Sequence, residues 1–137
     1  MANVHDLGKV IKNFTESVLY EGDTRNIELN TNINLKESIN NYDYILVDYF
    51  SSQTKQQFLK VSELNSTIIT TLFNMKDSEP YNFYMWEHGI KFTDSNKNVF
   101  TINIRNCIKL DPTDNTLKTY PDDKDTGIRK IIGFKYQ

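Results

Sequence analysis

A chain of 137 residues holds one hydrophobic core and not two, since single domains commonly run to roughly 100–200 residues. Its formal net charge of −2 provides no basic field of the kind that releases counterions from nucleic acid, so nucleic acid is not an expected partner. The lone Cys107 excludes an internal disulfide and a thiolate zinc site, and no run nears the roughly 18 consecutive apolar residues of a membrane span.

Residues 1–16 read as a segment of their own. Val4, Leu7, Ile11 and Phe14 form the apolar stripe of a short N-terminal amphipathic helix, and equally an a/d seam. The helix either packs on its own domain or serves as an oligomerisation segment, since two heptads are too few to hold an isolated coiled coil. The basic-then-apolar order of a signal peptide is missing, so ordinary secretion is not expected.

From 17 to 137 the pattern is that of a single β-domain. Val18, Leu19 and Tyr20 open it and Gly22-Asp23 turns the chain. Ile27, Leu29, Thr31, Ile33 and Leu35 then alternate with Asn26, Glu28, Asn30, Asn32 and Asn34, a strand with one dry and one wet face. After a polar turn at 38–41, residues 42–51 form a near-continuous run of β-branched and aromatic residues, which predicts a central strand covered on both faces. Two more strands are expected at 58–64 and 66–73, and Pro80 breaks the pattern. Residues 81–92 and 99–110, joined by the polar turn 94–98, make the best hairpin. Residues 111–127 read as one long polar loop, and 128–136 as a closing strand with Ile132, Phe134 and Tyr136 on its core face. Hydrophobic residues are only 38% of the chain, yet 8 Tyr, 8 Phe and 1 Trp supply bulk for a core. The expected class is all-β, an antiparallel β-sandwich or barrel with a short N-terminal helix.

Chemistry-bearing motifs are sparse. His5 and His88 are far apart in sequence and neither sits in a recognisable triad motif. Cys107, on an expected strand, reads as a buried small hydrophobe. Asp43, Asp48 and Glu87 are unpatterned carboxylates, and the five glycines form no phosphate-cradling loop. No catalytic residue, cofactor or metal is assigned. The acidic run 122–127 resembles the opening of a calcium loop, but Phe134 occupies the place of the bidentate glutamate and no helices flank it. That excludes an EF-hand and leaves another kind of calcium site, or a solvated loop, open. The segment 81–88 is the candidate for binding. If extended, Tyr81, Phe83 and Met85 make a core face, while Asn82, Tyr84, Trp86 and His88 face outward, where two aromatics beside an amide and an imidazole can stack on a sugar and bond its hydroxyls. Trp86 equally fits a core or a subunit interface. Tyr49 and Asp48 are weaker candidates for the same surface.

The run Leu35, Glu37-Ser38-Ile39-Asn40, Tyr42-Asp43-Tyr44-Ile45 and the closing Ile131-Ile132-Gly133-Phe134 resemble the small β-domains on tail fibres, baseplates and head fibres of phages of Gram-positive bacteria. The likeness spans most of residues 19–136. It implies a virion protein assembled in the host cytoplasm, homo-oligomeric and favouring a trimer, whose partners are other virion subunits. The function expected from it is attachment to or recognition of the bacterial surface, with a cell-wall saccharide as the ligand; the alternative is a non-receptor-binding adaptor or decoration protein in contact with other virion subunits.

Overall fold

The computed structural model describes residues 13–50, 55–64, 66–75, 83–112 and 114–136, and among them the chain is all-β and antiparallel. The strands are β1 (Phe14–Glu21), β2 (Ile33–Asn34), β3 (Tyr44–Phe50), β4 (Lys55–Lys60), β5 (Thr67–Met75), β6 (Phe83–Phe92), β7 (Val99–Asp111), β8 (Thr116–Tyr120) and β9 (Gly127–Tyr136). Two sheets result. The first has the order β1-β9-β3-β4. In the second β2, β7, β6 and β5 are neighbours, and β8 also pairs with β7. At 13 residues β7 is the longest strand; along the edge opposite β6 it pairs β2 at Val99 and Phe100 and β8 from Cys107 to Asp111.

The sheets pack as a sandwich. Ile45, Val47, Tyr49, Ile128, Ile131 and Leu19 come from the first sheet; Ile68, Leu72, Trp86, Ile90, Phe100 and Ile102 come from the second, and all lie in one buried cluster. At about 25 cal/mol per Å² of apolar area, such burial is the main term holding the sheets together. β3 is central, as expected, but it is covered on one face and not on both: Ile45 and Val47 are fully buried, while Tyr44 and Leu46 on the other face are only half-buried. The hairpin expected at 81–92 and 99–110 is β6 and β7.

Other expectations are corrected as well; the strand expected at 58–64 is β4 only to Lys60, with a 3-10 turn at Val61–Glu63. Residues 14–16, assigned to the N-terminal helix, lie in β1, where Phe14 pairs Tyr136; Val4, Leu7 and Ile11 lie outside the described residues. The alternating run 27–35 is a strand only at Ile33–Asn34. Its inner residues Ile27 and Leu29 do pack against the core, but the backbone turns, with Ile27 N–H donating to Thr24 O, Thr31 N–H to Glu28 O, and Asn30 at φ 62. Asparagine tolerates that left-handed conformation better than most residues. The loop 111–127 contains β8. On β9 the core side carries Ile131 and Gly133, while Ile132, Phe134 and Tyr136 point outward; a register shift opposite Asp48/Tyr49 re-phases the strand.

Residues 38–43 and the Gly133–Tyr136 end of β9 meet in space. Ser38 caps a 3-10 turn at Ile39–Asn41, accepting from Asn40 N–H, and plugs Ile39 into the core at 0% exposure. Tyr42 then lies over Gly133: a Cβ built there would sit 2.6 Å from Tyr42 Cγ. Asp43 ties the same corner down, its carbonyl accepting from Val61 N–H and its Oδ2 from Tyr136 N–H at 2.6 Å.

Candidate functional site

The proposed binding face of β6 is turned the other way. Trp86 and His88 are buried, with exposures of 7% and 0%, and continue inward through Ile90. Phe83, Met85 and Glu87 therefore face out. Alternation reveals two faces but not which one meets the other sheet, and here the heavier set, Trp86, His88 and Ile90, fills the sandwich. Tyr84 is half-buried and stacks on Trp86, with ring centroids 5.6 Å apart and planes 11° from parallel. Trp86 Nε1 donates to Asp123 Oδ1 at 3.3 Å, and Lys109 Nζ lies 5.5 Å from the Tyr84 ring. Tyr84 thus lines only a shallow recess of about 180 Å³ with Cys107, Lys109, Tyr120, Asp123 and Asp125. Asn82 lies outside the described residues.

The interior is unusually polar around this row. His88 lies edge-on to Tyr49, and neither ring nitrogen has a hydrogen-bond partner among the described residues. Burial, with Arg105 nearby, pushes the imidazole down to about 4. Tyr49, a weak ligand candidate by sequence, is instead a core residue; its hydroxyl hydrogen-bonds Thr70 at 3.2 Å, and burial pushes it up to about 12. Cys107 is buried and its thiol is pushed up to about 11, first by burial and then by Asp123 and Asp125, so it is an inert thiol.

Arg105 was missed in the sequence. Its side chain is fully buried: Nη1 donates to Thr24 O at 2.9 Å, Nη2 to Ile27 O at 2.8 Å, and Nε to Asp122 Oδ1 at 2.8 Å. A planar fork with five donors is suited to gathering three acceptors from separate loops. The residues around 24–27 and the acidic 121–126 loop are thereby held on one guanidinium. Only an arginine amid an apolar strand, Ile104-Arg105-Asn106-Cys107, could have signalled it.

The carboxylates are dispersed. Asp48, buried at 6% exposure, accepts from Arg129 Nε and Nη2 at 3.0 and 2.7 Å. Asp43 is engaged at the β9 end, and Glu87 stands on the far side of the other sheet. In the acidic loop Asp122 serves Arg105, and Asp123 accepts from Trp86 and Asp125 N–H. Among the described residues no group of three His, Cys, Asp or Glu is placed to hold a metal ion.

What the fold leaves open is apolar. On the outer face of the second sheet, Phe73, Met85 and Ile108 lie in one ladder row, and Phe83, Leu110 and Leu117 in the next. Leu117 is 67% and Phe73 53% exposed. In these rows and the adjoining Thr71-Glu87-Asn106 row, Glu87 is the one charged side chain. The outer face of the first sheet is aromatic: Tyr44 stacks on Phe58 with centroids 5.0 Å apart, Phe14 meets Tyr136 and Tyr44 edge-on, and Phe134 meets Phe58. Phe14, the only member of the N-terminal stripe among the described residues, belongs to this face. Beside it, a groove of about 620 Å³ is lined by Asn40, Tyr42, Asp43, Tyr44, Lys60 and Tyr136, among others. No described helix is long and apolar enough to cross a membrane. No protein-family model matches this chain, nor does any curated protein sequence.

Proposed function

We propose that this chain is a non-enzymatic structural module of a phage-type particle, of its tail, baseplate or fibre, and that it joins other virion subunits through the outer face of its second sheet. The observation that carries the reading is the pair of rows Phe73-Met85-Ile108 and Phe83-Leu110-Leu117, each apolar across three strands, with Phe73, Leu110 and Leu117 exposed and the other three half-buried. Contiguous apolar patches beyond a few hundred Å² are rare on free monomers and mark interaction sites. The partner that fits is an apolar protein face, since a sugar offers too little apolar area and the two rows themselves carry no charged group to orient one, Glu87 standing in the adjoining row. The phage setting rests on the resemblance carried by residues 35–45 and 131–134. Particles reconstituted with Leu117→Asp or Phe73→Ser test the reading. Folded variants, by circular dichroism, should fail to incorporate; incorporation at the normal level contradicts it.

One observation favours direct recognition of a cell-wall saccharide as a second reading. The Tyr42-Tyr44-Tyr136 groove falls in the roughly 300–1,000 Å³ range of small-molecule sites and sets phenol faces beside Asp43 and Lys60. Several copies on a particle would raise a weak affinity. Calorimetric titration with soluble wall fragments checks it; binding lost in Tyr136→Ala supports this groove, and no binding at millimolar fragment removes it.

A further inference from the structure

The first sheet presents a face built to meet itself. Two adjacent ladder rows of its outward residues cross all four strands. One runs Glu16, Phe134, Tyr44, Lys60 across β1, β9, β3 and β4; the next runs Val18, Ile132, Leu46, Phe58. Ile45, Val47 and Gly133, which alternate with these residues, are buried, so the named side chains point to solvent. Phe58 is 57% exposed, and a depression of about 290 Å³ lies among Phe14, Glu16, Phe58 and Phe134.

The first row carries an acid on one edge strand and a base on the other, with aromatics between. A two-fold axis lying in the plane of this face, running between β9 and β3 and close to the strand direction, exchanges the edges: β1 of one copy lies over β4 of the other. Glu16 then faces the second copy's Lys60 twice, Phe134 faces Tyr44, Ile132 faces Leu46 and Val18 faces Phe58. This is the reciprocal pattern of an isologous interface, in which residue i meets j and j meets i. An axis turned about 15° from the strands also yields the roughly −30° at which twisted sheets stack. Glu16 has no ion-pair partner among the described residues, and the Lys60–Glu63 pair, at 3.3 Å on an exposed surface, is weak enough to be exchanged.

We infer that a second copy of this chain docks on the β1-β9-β3-β4 face, forming a two-fold dimer clamped by reciprocal Glu16–Lys60 pairs around an aromatic centre. This goes beyond the docking proposed above, which uses the opposite sheet; the dimer leaves that sheet free to bind a different subunit. It also differs from the three-fold association that the resemblance implies.

The test is sedimentation equilibrium on the full chain at micromolar to 100 µM concentration, for wild type, Glu16→Lys, Lys60→Glu and the double exchange. Both positions are exposed, and surface substitutions away from packed features usually change stability little, so all four proteins should give the same circular dichroism. The expected result is a wild-type dimer that weakens with added salt, at least tenfold weaker association in each single variant, and recovery in the double exchange. A wild-type monomer at 100 µM, an oligomer unaffected by either single reversal, or a double exchange that stays monomeric overturns the proposal. None of these outcomes bears on Leu117 or Phe73, so failure here is separable from failure of the particle-docking reading.

Discussion

His88 packs edge-on against Tyr49, ring centroids 5.3 Å apart and planes at 77°, which places a titratable ring from one sheet against a phenol from the other at the middle of the sandwich. Both rings are buried. The hydrophobic effect drives them inward, and the cost falls on the imidazole, which gives up water without gaining a described partner.

Acid should therefore loosen the fold. His88 is held at about 4 against an ordinary 6.5, so below pH 6.5 the unfolded chain takes up a proton that the folded chain refuses. The stability associated with His88 is complete above pH 6.5 and is lost as pH falls towards 4, amounting to about 3 kcal/mol at most. Urea unfolding at pH 7 and pH 4.5 measures it, and His88→Leu should flatten the difference. An unchanged pH dependence in His88→Leu contradicts this assignment.

Arg105 should be among the least replaceable residues. Arg105→Met strips the Ile27 carbonyl and the Asp122 carboxylate of their guanidinium donor and leaves Thr24 O with only the Ile27 N–H. Because Asp122 is 32% exposed, the cost should fall at the low end of the about 3–5 kcal/mol of a fully buried ion pair. Arg105→Lys should recover only part, because an ammonium cannot span the same three acceptors. Denaturant midpoints provide the check, and hydrogen exchange should quicken first at the amides of residues 22–31.

The Tyr42–Gly133 contact predicts an overpacking cost. Gly133→Ala places a methyl 2.6 Å from the Tyr42 ring and should destabilise by about 1–3 kcal/mol. The penalty should shrink in a Tyr42→Ser background, as expected of residues in direct contact. Additive effects in the double variant would show that the crowding lies elsewhere.

Trp86 is the sole tryptophan and reports on the β6 row. Its burial and its bond to Asp123 predict blue-shifted emission, poor quenching by iodide and no response to wall saccharides. Strong quenching together with a saccharide-dependent shift would restore the outward Tyr84-Trp86-His88 surface.

Much of the architecture was legible in the sequence because burial leaves a period. Tyr44 to Phe50 and the 83–92/99–111 hairpin have β-branched and aromatic residues at the right spacing. The same period misled at Ile27 and Leu29, whose side chains do reach the core but from turns: Arg105 collects the Thr24 and Ile27 carbonyls that a ladder would have used. The orientation of β6 was not legible either. A two-residue period separates Trp86 from Met85 without saying which meets Tyr49, since that depends on β3, roughly forty residues earlier in the chain. The paired edge charges Glu16 and Lys60 are equally silent, for only strand order β1-β9-β3-β4 places them in one row.

Photo-cross-linking tests the proposed docking through the outer face of β5 to β8 directly. A benzophenone amino acid at position 117, in assembled particles, should capture a different virion subunit, while the same probe at the exposed Lys36 should not. Cross-links from Lys36 alone, or none from position 117 in particles that contain the chain, would contradict docking through this sheet.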